Sequence, residues 1–138
     1  MAGQPFDPAN LPQFSVIHVR TVFGDEEPSW KMWVVLGHQD GCVVCIKATS
    51  QTGFYENNPA MREGCVMFQP GEVRCFPQLT AIDPENRKAF PYRDLPKQLA
   101  AEMLPPGFRE QLLRAIEGSP KLSRKGKRLM RAWIAGAS

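Results

Sequence analysis

Residues 31–51 read KMWVVLGHQDGCVVCIKATSQ, and this stretch decides the fold. It reads as two apolar β-strands joined by Gln39-Asp40-Gly41 and closed by the polar cluster Thr49-Ser50-Gln51. Two connections are possible. A two-residue Asp40-Gly41 turn pairs Lys31 with Ser50, whereas a three-residue loop with Gly41 in the left-handed conformation pairs Lys31 with Thr49. The side-chain pattern selects the second. It gathers Met32, Val34, Leu36, Val44, Ile46 and Ala48 on one face and leaves Lys31, Trp33, Lys47 and Thr49 together on the other. A slip of one residue would scatter both sets, so the hydrophobic pattern specifies register. The expected result is a sheet with one apolar side and, opposite, a surface of two lysines, an indole and a hydroxyl that could grip a phosphodiester.

Outward from the hairpin, the alternation of Phe14–Phe23 predicts a first strand with Val16, His18, Arg20 and Val22 on one side. The acidic segment 24–29 follows as a loop. Residues 52–63, with Asn57-Asn58-Pro59 as turn chemistry, predict an excursion outside the sheet. Further strands are expected at Cys65–Gln69, Val73–Phe76 and Leu79–Ile82, the last closed by Asp83-Pro84. Leu99 and Met103 at helical spacing then predict a helix over Pro96–Met103, stopped by Pro105-Pro106. A second helix is expected over Phe108–Glu117, and a third, basic one is capped by Ser123. Strands first and helices last imply an α+β fold, a small, strongly bent antiparallel sheet with C-terminal helices. The expected division is a loosely ordered arm at 1–13, a sheet unit at 14–95 and a helical extension at 96–138.

At 138 residues one domain is the simplest expectation. A hydrophobic content of 43% is that of an ordinary globular chain and excludes intrinsic disorder as the class. No apolar run approaches the ~18–20 residues of a membrane-spanning helix. The opening MAGQPFDPANLPQ lacks the basic end and apolar stretch of a signal peptide, so the cytoplasm is the expected compartment. Charge is uneven along the chain. Lys121, Arg124, Lys125, Lys127, Arg128 and Arg131 follow the last acidic residue, Glu117, and exceed the net charge of +3, so everything before them sums to −3. Such a basic tail suits RNA, DNA or an acidic protein. Arg124, Lys125, Lys127, Arg128 and Arg131 are the expected partner-binding residues.

Cys42 and Cys45 form a C-x-x-C. Inside a strand, residues three apart point to opposite faces, so they do not form a zinc knuckle or a thioredoxin motif, and no metal or other cofactor is expected. Reduced, largely buried thiols are the better account of all four cysteines.

The hairpin, a basic residue leading into KMWVVL and a second strand ending in ATSQ, resembles the MazF/PemK-like toxin family. So does GCVMFQPGEVRCFPQLTAID, whose TAID is similar to the segment near that family's last barrel strand. The resemblance covers roughly residues 14–95. It implies an SH3-like barrel, a homodimer, metal-independent cleavage of single-stranded RNA, and a cognate antitoxin as partner. Carried over by residue, it makes Thr49 the catalytic threonine and puts Lys31 where the family commonly has a catalytic arginine. Lysine brings a point charge in place of a planar fork of donors. The family's glycine-aspartate entry to strand one is also replaced, by Phe14-Ser15.

RNA cleavage without a metal needs a base for the 2′-hydroxyl proton, a cation for the charged phosphorane and an acid for the leaving oxygen. Lys31 and Thr49 are the expected catalytic pair. Lys47, Ser50, Gln51, Trp33 and His18 are the expected substrate-binding residues, with Trp33 stacking on a base. The competing account is a barrel of the same shape that binds nucleic acid or protein without turnover. In that account the lysines are solvated strand residues, Thr49 is a good strand former, and Trp33 is packing. His38, beside the turn, is expected to be exposed.

Overall fold

The computed structural model describes residues 4–21 and 29–135. The hairpin forms from β3 (Ser29–Gln39) and β4 (Cys42–Thr49). Its turn is the two-residue one. Asp40 and Gly41 both have positive φ, 52° and 75°, and Gln39 pairs with Cys42. Positive φ at both central residues gives the primed turn whose twist matches a hairpin, and Asp-Gly is among its preferred sequences. Alone, that turn would set Lys31 opposite Ser50. A β-bulge prevents it: Val35 pairs with Cys45 and Gly37 with Val44, so Leu36 has no opposite number on β4. Beyond the bulge the pairs are Val34–Ile46, Trp33–Lys47 and Met32–Ala48. Carried one step further, this register sets Lys31 opposite Thr49. The register is the one the hydrophobic pattern demands, and its cause is a tight turn plus a bulge, not a three-residue loop.

β2 (Ser15–Thr21) pairs with β3, and β7 (Leu99–Met103) pairs with the other side of β2. β1 (Gln4–Phe6) lies outside β7, while β6 (Thr80–Pro91) and β5 (Val66–Phe68) continue the sheet beyond β4. The order is β1-β7-β2-β3-β4-β6-β5, antiparallel throughout. The fold is α+β, and its sheet is open, with β1 and β5 at the edges, rather than closed into a barrel.

Several sequence expectations are corrected. Residues 4–6 are not a loose arm but the edge strand β1. It is followed by a single 3-10 turn, Pro8–Asn10, in which the Asp7 carboxylate accepts from the Ala9 N–H at 3.0 Å. Residues 96–103 carry no helix. Leu99 and Met103 are four apart, a spacing that helix and strand share, and Leu99 and Ala101 bury one face of β7 with the strand's period of two. β7 therefore joins the sheet, so the segment expected to open the helical extension is a strand. Val73 and Phe76 are buried from an irregular turn instead of a strand, with the Gly71 N–H donating to the Phe76 carbonyl at 3.0 Å. The short strand expected at Leu79–Ile82 runs on through Asp83-Pro84 as the twelve-residue β6. It absorbs the proline with a register irregularity, Ala48 pairing with Ile82 and Ile46 with Arg87. The acidic segment 24–28 lies outside the described residues.

Both faces of the sheet are covered. On one, Val16, Val34, Leu36, Ile46 and Ile82 meet α3 (Phe108–Gly118) and α4 (Arg124–Ile134) through Phe108, Leu112, Ile116, Met130 and Ile134. On the other, Ile17, Val19, Trp33, Val35, Val43 and Cys45 form a second core. Leu11, Phe90, Leu95 and Leu99 close it. The excursion expected at 52–63 is present as two short helices, α1 (Gly53–Glu56) and α2 (Pro59–Glu63). Among the described residues no helix is long and apolar enough to cross a membrane.

One polar node ties the bulge to the C-terminal helix. The Gln13 amide donates to the Leu36 carbonyl at 2.9 Å and to the Trp133 carbonyl at 2.8 Å. Arg109 donates to the Ile134 carbonyl and, at 3.2 Å, to the Gln13 Oε1. These donors meet the last carbonyls of α4, and the guanidinium opposes the negative end of the helix dipole. Phe14 beside them takes φ 65°, a left-handed conformation unusual for a bulky residue. Its N–H donates to the Val35 carbonyl at 2.7 Å and its carbonyl accepts from the Leu104 N–H at 3.0 Å, which holds it there.

Candidate nucleic-acid interface

Where β4 ends, Thr49 turns the chain. Its hydroxyl oxygen accepts from the Gln51 N–H at 3.1 Å, leaving the hydroxyl proton to be given elsewhere. A cavity of about 140 Å³ opens at this point, bordered by the start of β3 and by β2. It is lined by His18, Lys31, Lys47, Thr49, Ser50 and Gln51, six of the seven residues expected to be catalytic or substrate-binding. Trp30, Met32, Ala48 and Thr80 complete it.

The register sorts these residues by face. His18 pairs with Met32, and Met32 with Ala48, on the face that carries Val34 and Ile46. Lys31, Lys47 and Thr49 alternate to the other face, with Trp33. The cavity thus brings an imidazole and an indole from one face of the sheet to the same strand ends as two lysines and a hydroxyl from the other. His18 is exposed, and its ring lies against Trp30 at a centroid distance of 5.3 Å.

The seventh residue does not belong to this set. Trp33 is 2% exposed and packs edge-on against Phe90 at 5.0 Å, so it is a member of the second core and offers no open ring to a base. The face opposite the first core, expected to be solvated, is closed over by β7 and the segments around Leu11 and Leu95. The exposed indole is Trp30, at 61%. A signal for it was present: Trp30 precedes Lys31 and shares its face with Met32.

A second hollow of about 390 Å³ adjoins the first at Lys47 and extends along β6 past Asn86, Arg87 and Lys88. Phosphate oxygens could be held by the lysines, a base could stack on Trp30, and imidazole is the side chain suited to move a proton near neutrality.

The basic tail is α4, capped as expected by Ser123, whose hydroxyl accepts from the Gly126 N–H at 3.0 Å. Its five expected partner-binding cations divide into two groups. Arg131 pairs with the Glu117 carboxylate and Lys127 donates to the Glu117 carbonyl at 2.9 Å. Arg124, Lys125 and Arg128 are exposed and form no ion pair among the described residues. His38 is not the solvated residue expected beside the turn. Nε2 donates to the Leu11 carbonyl at 2.9 Å, and Nδ1 is hydrogen-bonded to the Tyr92 hydroxyl at 2.6 Å. It is a clasp between the N-terminal segment and the end of β6.

The four cysteines are free thiols. Burial pushes Cys45 up to about 12 and Cys65 and Cys75 up to about 11. A separate polar cluster centres on Asp83. Asp83, nearly inaccessible, accepts from the Tyr55 hydroxyl at 2.9 Å and from the Lys121 ammonium at 3.2 Å. Burial and the Asp83 charge together raise Tyr55 well above the usual phenol range, and hydrogen bonds to Asp83 and Glu85 raise Lys121 against its own desolvation. Among the described residues no group of three or more His, Cys, Asp or Glu side chains is placed to hold a metal ion. The chain matches no protein-family model and no curated protein.

Proposed function

We propose that the chain binds single-stranded RNA at the strand ends around Lys31, Lys47 and Thr49 and cleaves it without a metal. The observation that carries this reading is the single cavity that collects His18, Lys31, Lys47, Thr49, Ser50 and Gln51 from three adjacent strands and the turn after them. In this mechanism a base takes the proton from a 2′-hydroxyl, which attacks the neighbouring phosphorus. The 5′-oxygen leaves with a proton, and the products carry a 2′,3′-cyclic phosphate and a 5′-hydroxyl. His18 handles the protons, Lys31 and Lys47 offset the charge that grows on the phosphorane, and Thr49 donates its remaining hydroxyl proton to a phosphate oxygen. Trp30 stacks on a base and replaces Trp33 in that role, while Ser50 and Gln51 meet base edges.

The resemblance to MazF/PemK-like toxins extends the proposal to a toxin–antitoxin pair, with a homodimer as the active form and a cognate antitoxin as its inhibitor. A second reading, binding without turnover, is favoured by one observation: alternation sends the His18 side chain and those of Lys31 and Thr49 to opposite faces of the sheet. Substitution separates the two. Cleavage predicts that Lys31→Ala, Thr49→Ala and His18→Ala lose turnover while retaining RNA affinity within a few-fold. Unchanged turnover in all three would refute the assignment of the site.

A further inference from the structure

Outside the cavity, the feature with the most unassigned chemistry is the groove between α4 and the outer half of β6. It holds about 300 Å³. Its floor is apolar, made by Val44, Ala89, Leu129 and Trp133, and Leu129 is 49% exposed. Arg87 and Lys88 form its rim on β6. On α4, Lys125 precedes Leu129 by four residues and Trp133 by eight, which puts it on the same helical stripe, and Arg128 flanks that stripe. β5 pairs only with Thr80, Ala81 and Ile82, so the half of β6 from Glu85 onward is an open edge of the sheet at this point.

The groove is continuous with the proposed RNA site. It shares Glu85, Arg87 and Lys88 with the hollow of about 390 Å³, and that hollow shares Lys47 with the cavity at the strand ends. From Lys47 to Lys125 the path meets cations repeatedly and one carboxylate, Glu85, which lies 3.4 Å from the Lys121 ammonium and is thereby offset. We infer that this groove is a second contact surface for the same single-stranded RNA, so that a strand held at the cavity passes over the edge of β6 and rests its next phosphates on Lys88, Arg87, Lys125 and Arg128, with a base against Trp133. The inference rests on the RNA-binding reading of the cavity. It also gives a use to the half of the basic tail that Glu117 does not occupy. A polyanion carrying flat apolar rings fits a cationic rim over an aromatic floor, and continuity with the cavity selects RNA over an acidic peptide.

The test is fluorescence anisotropy with 2′-O-methyl RNA, which lacks the attacking hydroxyl, in two lengths: about four nucleotides, enough for the cavity alone, and about twelve, within the range single-stranded sites span. The full chain and the double variant K125E/R128E are compared across a salt series, with circular dichroism to confirm that the exposed substitutions leave the helix folded. The expected result is tighter binding of the longer RNA by the parent chain and a loss of about tenfold or more in the variant for that RNA only. Its salt slope should become shallower by about 1.4, or about 0.7 for each phosphate contact removed from a single strand. If the short RNA binds and the longer one gains nothing, or the variant matches the parent on it, the second surface is refuted while the cavity stands. If neither length binds, both are refuted. If polyglutamate binds in place of RNA and K125E/R128E abolishes that, the groove is a protein-docking face and the inference is overturned.

Discussion

Replacing Gln13 by alanine should loosen the junction between the β3 bulge and α4, and the loss can be worked from three contacts. The side chain donates to the Leu36 and Trp133 carbonyls at 2.9 and 2.8 Å and accepts from Arg109 at 3.2 Å. A net ~0.5–1.5 kcal/mol per hydrogen bond, higher where one partner is charged, gives about 3 kcal/mol if water replaces none of them. Gln13 is half-buried, so water can reach part of the site and about 2 kcal/mol is the expected loss. That is a large fraction of the ~5–15 kcal/mol that stabilises a domain. Urea denaturation followed by tryptophan fluorescence measures it directly, with Trp33 and Trp133 as reporters on the two sides of the junction. An unchanged denaturant slope with a lower midpoint shows that the native state is destabilised and not reorganised. Arg109→Ala should cost a similar amount, and the double variant less than the sum because the two side chains share a contact. A loss below about 0.5 kcal/mol in Gln13→Ala would refute the claim that this node fastens the helix to the bulge.

Three further outcomes follow from the packing. Trp33→Ala should cost about 3–5 kcal/mol and Trp33→Phe much less, because the ring is a core element; weaker RNA affinity at unchanged stability would return Trp33 to the binding surface. Stability should be fully present below pH 9 and fall as pH rises towards 11–12, since the unfolded chain releases its thiol protons near 9 while burial holds Cys45, Cys65 and Cys75 protonated. The fall should be smaller in Cys45→Ala, and equal falls in parent and variant would remove that thiol from the explanation. Lys121→Met should cost about 1–3 kcal/mol in thermal or urea unfolding, because Asp83 keeps the Tyr55 hydroxyl but loses its cation; no loss would mean that the ammonium contributes nothing net.

The hairpin shows what was legible in the chain and what was not. Its register could be read because burying Val34, Leu36, Ile46 and Ala48 on one face is worth several kcal/mol, and only one register achieves it. The device that produces the register was hidden, since a tight turn with a bulge and a three-residue loop both deliver the same pairing. Leu99 and Met103 failed as a guide because four residues is close to one helical turn and also two strand repeats; Ala101, buried between them, was the residue that separated the alternatives. For the site, position along the strands was readable, and six nominated residues line one cavity. Exposure was not readable for Trp33, because the pattern within one hairpin cannot show that a distant segment returns to cover its second side. Ser123 and Phe108 needed no such knowledge: a cap and a helical stripe are local properties, and both stand where the sequence puts them.

The measurement that bears most directly on the proposed function is incubation of the purified chain with a long single-stranded RNA in EDTA, followed by mapping of the product ends. The account predicts discrete products with 2′,3′-cyclic phosphate and 5′-hydroxyl ends, absent in Thr49→Ala and His18→Ala. Intact RNA, or identical cleavage by the parent and both variants, would contradict it.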